Sequence, residues 1–80
     1  MKVNVIKKLA ETESVEHLKL AEEAILNGEP LSISVDGEDE GEQLTHVSAA
    51  LWVKEYSEKE QVDIKDAVRK YTQRVRGSLG

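Results

Sequence analysis

The sequence predicts a mainly α-helical fold: a compact domain of three to four helices with one short extended segment. Three observations carry that expectation. Apolar residues recur at three- and four-residue spacing over 15–25, 44–53 and 64–75. Start and stop signals bracket those stretches, with Ser14 and Asp63 ahead of helices and Gly28 and Gly77 behind them. Leu31–Val35 alternates apolar and polar residues with a period of two, as a short extended segment does. The alternative is an α+β fold, in which residues 2–6 and 31–35 form a two-stranded sheet around the intervening helix.

Each element has its own signals. Asn4 can cap a short helix to Glu11, with Val5, Ile6, Leu9 and Ala10 at helical spacing. Val3 and Val5 also alternate with polar neighbours, which keeps a strand at 2–6 open. The second helix is expected over Ser14 to Asn27. Ser14 or Thr12 caps it, and Glu16 sits at the positive end of the helix dipole. Val15, Leu18, Ala21, Glu22 and Ile25 form one stripe, and Asn27-Gly28 followed by Pro30 ends the helix. The 31–35 segment then lays Leu31, Ile33 and Val35 on the core before the turn dipeptide Asp36-Gly37.

Residues 36–42 carry five carboxylates and lead into the most apolar part of the chain. A central helix should start near Asp39–Gly41 and end near Ser57–Glu60. Leu44, Val47 and Leu51 share one face, while Ala50, Trp52 and Val53 widen the apolar arc beyond a single stripe. A helix apolar on most sides is buried on more than one side, which makes this one the hub. The last helix follows Asp63, its cap, with Ile64, Ala67, Val68, Tyr71 and Val75 facing the core and Gly77 at its end.

The chain has 80 residues, enough for one domain, and it contains no cysteine, so disulfides and thiolate metal sites are excluded. Helix packing or self-association must then supply the stability. The lack of cysteine fits a reducing cytoplasm. No apolar run reaches the roughly 18–20 residues a bilayer span needs, and the amino-terminal residues lack the apolar stretch of a signal peptide. A cytoplasmic protein without membrane contact is expected. The net charge of −5 is unevenly spread: residues 11–42 hold eleven acids against Lys19 alone, whereas 43–80 hold seven bases against five acids. Such asymmetry favours electrostatic pairing within the chain or between copies, and it argues against nucleic acid as the main partner.

No constellation of residues meets the minimum for catalysis. Asp36, Glu38 and Glu40 match positions one, three and five of a calcium loop, and Gly41 matches the glycine at six. Position twelve is Val47, which cannot ligate, so a solvated lead-in to the helix is the plainer reading, with a weak ion or small-ligand site as the alternative function. Glu13/His17 and Glu42/His46 each offer two ligands, half a metal site, so both histidines read as surface or rim residues beside a carboxylate. Ser14, Ser32, Ser34, Ser48, Ser57 and Ser78 lie in no nucleophile frame, and Gly37 and Gly41 are flanked by carboxylates that repel phosphate. No cofactor or metal is expected. Arg69, Lys70, Arg74 and Arg76 spread around their helix and suit its negative end.

Trp52 is the remaining marker. It reads as core, and alternatively as an interface anchor, because two copies packing their central helices would cover the surplus apolar arc. The expected function is a non-catalytic interaction or structural module, self-associating as a homodimer or binding a protein partner. Its candidate interface residues are Leu44, Val47, Leu51, Trp52, Arg69 and Arg74.

The opening Met-Lys-Val-Asn-Val-Ile-Lys-Lys-Leu, the pair Asp39-Glu40, and the closing Asp66-Ala67 through Gln73-Arg74-Val75-Arg76-Gly77-Ser78-Leu79 resemble a family of small uncharacterised bacterial proteins. That family, found mainly among the Bacteroidetes, is a domain of unknown function, and the resemblance runs over most of the chain. Its members tend to carry proline where Asn4 stands, which implies a helix starting there. The region of Trp52 departs from the family's small-residue pattern. No activity comes with the family, so the resemblance implies no site residue, cofactor or partner.

Overall fold

A computed structural model describes residues 2–79, with side chains to Gly77. Four helices follow one another: α1 Val3–Thr12, α2 Val15–Asn27, α3 Glu40–Glu60 and α4 Ile64–Leu79. The mainly α expectation holds, and the described residues contain no strand. Residues 2–6 lie at the start of α1, so the segment 31–35 has no ladder partner and the two-stranded alternative falls away. That segment still lays Val35 in the core and half-buries Leu31 and Ile33, leaving Ser32 and Ser34 outside. Where a sheet would bond its backbone, the Gln43 side chain donates to the Val35 carbonyl at 3.1 Å.

The helix termini show why the chain divides where it does. Ser14 Oγ accepts the His17 amide at 3.1 Å ahead of α2. Behind it Gly28 sits in the left-handed region at φ 69°, and the Glu29 amide reaches back to the Ala24 carbonyl at 2.8 Å. A glycine takes that conformation without the steric cost a Cβ brings. Asp39 caps α3, accepting the Glu42 amide at 2.8 Å, while Glu42 Oε1 accepts the Glu38 amide at 3.0 Å. This reciprocal arrangement serves two amides that the helix itself leaves without partners. At the far end Gln61 takes the left-handed turn at φ 54° with no glycine to ease it. Asp63 Oδ1 accepts the Asp66 amide at 3.0 Å ahead of α4.

Two expectations about termini are corrected. Asn4 is not a cap: α1 starts after Lys2, which makes no side-chain cap, and Asn4 is an exposed residue inside the helix. Gly77 does not end α4, which continues to Leu79. A single glycine inside a helix costs only about 1 kcal/mol, too little to stop one that is otherwise supported.

The central helix is the hub. It packs against α1, α2 and α4; α1 also packs against α4, whereas α2 meets no helix except α3. His46, Val47, Ala49, Ala50, Leu51 and Val53 of α3 are buried, and Ile6, Leu18, Val47 and Val53 are among the largest wholly enclosed side chains. The shortest dimension of the domain is 18 Å, about two helix layers at the usual 8–10 Å axial spacing. Two layers leave α3 an outer face, and that face carries the candidate site.

Candidate interaction site

The outer face of α3 is built around Trp52. One turn on, Tyr56 stacks against it, with ring centres 5.0 Å apart and planes 11° from parallel. From α4, Tyr71 meets the indole at 5.5 Å and 56°, and the Arg74 guanidinium lies 5.6 Å from the ring centre. The i, i+4 spacing of Trp52 and Tyr56 makes the stack, and the antiparallel return through residues 61–63 brings α4 alongside. Trp52, Tyr56 and Tyr71 are each only half-buried. With Glu55, Lys59 and Arg74 the two α3 rings line an open groove of about 390 Å³. Stacked rings with a cation over one face form a rigid amphipathic surface of the kind enriched where proteins bind one another.

The six residues expected at an interface divide between core and surface. Trp52 and Arg74 are brought together at the groove. Leu44 is half-buried near the start of α3. Val47 and Leu51 are spent on the core, because the face they share is the one that α1, α2 and α4 cover. Arg69 is exposed, but five residues from Arg74 places it well around α4 from the groove. Lys70, one turn before Arg74, is exposed on the same side of α4 as Arg74.

His46 corrects the reading of a rim histidine. It is wholly buried, and both its ring nitrogens are engaged by backbone. The Lys2 amide donates to Nε2 at 2.9 Å, and Nδ1 lies 2.8 Å from the Asp36 carbonyl. An amide only donates and a carbonyl only accepts, so Nε2 is bare and Nδ1 carries the proton. The ring therefore holds the start of α1 and the end of the 31–35 segment against α3, leaving neither nitrogen for a substrate or a metal. His17 matches its expected place: exposed, with Nδ1 3.6 Å from Glu13 Oε1.

Among the described residues no group of three or more potential ligands converges on a metal-sized site. In the acidic stretch, Asp39 and Glu42 are committed to capping, and Val47 is fully enclosed. The serines do structural work: Ser48 donates to Glu22 Oε2 at 2.7 Å, joining α2 to α3, and Ser57 donates to the Val62 carbonyl. Ser78 lies outside the described side chains. No helix among the described residues is long and apolar enough to cross a membrane.

A family model matches the chain along residues 1–80. The chain belongs to DUF6952. DUF6952 is a family of unknown function, so membership assigns no activity. No curated protein matches the chain, and no solved structure does either. In this DUF6952 chain, then, the site rests on geometry alone. Sequence reasoning missed the role of His46 because its partners are backbone groups ten and 44 residues away, which no side-chain spacing encodes. The available signal was its position: His46 directly precedes Val47 and lies seven residues before Val53, within the phase the core occupies.

Proposed function

We propose that this protein is a non-catalytic interaction module that self-associates through the outer face of α3 and the adjoining side of α4. The observation that carries the reading is the half-buried Trp52–Tyr56–Tyr71 cluster with Arg74 over the indole. Three rings and a cation held on two rigid helices at the surface do more than seal a core, which the enclosed aliphatic residues already do. Among the described residues the other exposed large apolar side chains, Val3 on α1 and Leu20 and Leu26 on α2, form no comparable ring cluster. Leu20 and Leu26, 51% and 68% exposed, are six residues apart and so lie on different sides of α2.

A non-catalytic role fits the engagement of both His46 nitrogens and the single carboxylate beside His17. The alternative of an ion or small ligand at 36–42 would have to use a stretch in which two of five carboxylates already cap α3. A cytoplasmic setting fits a chain without cysteine.

Sedimentation equilibrium of the wild type beside Trp52→Glu tests the reading. The expected result is a wild-type dimer at micromolar concentration and a folded, monomeric variant. A wild type that stays monomeric at high micromolar concentration, or a dimer indifferent to Trp52→Glu, would count against it.

A further inference from the structure

The basic residues of α4 fall on two sides of the helix. By helical rotation Lys65, Arg69 and Arg76 lie within about 40° of one another, and Lys70 and Arg74 at least about 100° away from them. Thr72 completes the first row, which is about 16 Å long. Tyr71 and Arg74 turn the other side of α4 to Trp52, so α1 packs against the side with Val68, Thr72 and Val75. On α1, Val5, Lys8, Leu9 and Thr12 line a hollow with Ser34 and Asp36, which leaves the flank with Val3, Ile6, Lys7 and Ala10 to face α4. Lys2 meets His46 and Ala10 meets Lys54, the same offset of 44 residues, so α1 runs parallel to α3. The Trp52–Tyr71 contact sets α4 antiparallel to both. In that register Lys7 is level with Thr72, between Arg69 and Arg76, and Val3 is level with Arg76. Lys7, Lys65, Arg69 and Arg76 are exposed, and among the described residues none of them makes an ion pair or a side-chain hydrogen bond. Glu11, four residues on from Lys7, and Asp66, about 60° from Arg69, stand at the margins.

The outer α1–α4 surface is thus a cationic face on a chain of net charge −5. We propose that it receives an acidic amphipathic helix of a partner protein. The partner's carboxylates meet Lys7, Lys65, Arg69 and Arg76, and its apolar side covers Val3, 42% exposed, and the seam beside Thr72 and Val75. A helix laid along two others is a common mode of recognition, and carboxylates one turn apart match the spacing of Lys65 and Arg69. A nucleic acid suits the face less well. The net charge repels an extended polyphosphate, and Trp52, Tyr56 and Tyr71 cluster on the other side of α4, where no base bound here could stack on them. The face is separate from the Trp52 groove, so the proposal stands or falls independently of self-association there.

A synthetic helical peptide of about fifteen residues, with leucines on one face and glutamates beside them, serves as the probe. Fluorescence anisotropy should show saturable binding to the wild type, lost when glutamines replace the glutamates. Arg69→Gln/Arg76→Gln should weaken binding at least about fivefold, and Lys7→Gln/Lys65→Gln should act in the same direction. Glutamine keeps the helix propensity of the residues it replaces, and circular dichroism checks that the variants stay folded. Lys8→Gln/Lys19→Gln removes two charges away from the face and should change affinity by less than about twofold. Amide shifts on peptide addition should gather at Val3, Lys7 and α4. No saturable binding, an equal loss in Lys8→Gln/Lys19→Gln, or shifts gathered at Trp52 would each overturn the proposal. A single-stranded oligonucleotide of the same net charge that binds more tightly overturns it in favour of nucleic acid. Loss of self-association in Arg69→Gln/Arg76→Gln overturns it in favour of a second copy.

Discussion

Both ring nitrogens of His46 face backbone, and few buried positions in a domain this small are so fully specified. Replacing the ring by a methyl leaves the Lys2 amide and the Asp36 carbonyl without their partner and opens a cavity beside Val47. His46→Ala should therefore cost about 3 kcal/mol, read from denaturant unfolding. The tautomer can be measured separately. Nitrogen NMR of the imidazole should show the proton on Nδ1, and a ring protonated on Nε2 would contradict the Lys2 contact. Gly37 is specified for a different reason. A Cβ there would lie 2.8 Å from Gln43 Cγ and 2.9 Å from the Gln43 backbone nitrogen, inside any tolerated contact. Because part of that clash is with backbone, Gly37→Ala should destabilise by about 1–3 kcal/mol, although it changes no hydrogen bond. A neutral Gly37→Ala would show that the 36–38 turn is free to shift.

At the scale of elements, helix ends decide how well the sequence can be read. Ser14→Ala and Asp39→Ala should each lose about 1 kcal/mol in thermal or denaturant unfolding, and Asp39 the more, because its cap is coupled to Glu42. Gln61 offers the opposite change. A left-handed glutamine pays for its Cβ, so Gln61→Gly should stabilise by about 0.5–1 kcal/mol, and a loss instead would mean its side chain makes a needed contact. Ser14, Gly28 and Asp63 were legible because capping is local: donor, acceptor and left-handed turn lie within a few residues. The start of α1 was not, since Lys2 is held by a ring 44 residues away and Asn4 merely resembled a cap. The interface candidates failed in part for a related reason. Periodicity placed Val47 and Leu51 on an apolar face but could not say which apolar face the other helices would cover.

For the whole molecule, the arrangement of helices sets how stability is distributed. The central helix is held by three neighbours and α2 by one, through contacts that include Ser48 with Glu22. Amide hydrogen exchange should be slowest in the middle of α3 and faster across α2 by orders of magnitude, because α2 can open without disturbing α1 or α4. Uniform protection across all four helices would mean that the domain opens only as a unit. Lys54 contributes to the integration of α1, its ammonium reaching the Ala10 carbonyl at 3.1 Å and serving the negative end of that helix.

The His46 ring also has a consequence in time. It joins residue 2 to residue 46, and that junction can close only after α3 has formed and most of the intervening chain has collapsed. Contacts completed after the rate-limiting step govern escape from the native state rather than arrival. His46→Ala should therefore steepen unfolding by nearly its full equilibrium cost while leaving the refolding rate almost unchanged in a stopped-flow chevron. Refolding slowed by the same factor would place the ring in the nucleus. On this account one buried imidazole acts as the final fastening of the fold, setting the lifetime of the native chain more than the speed with which it is reached.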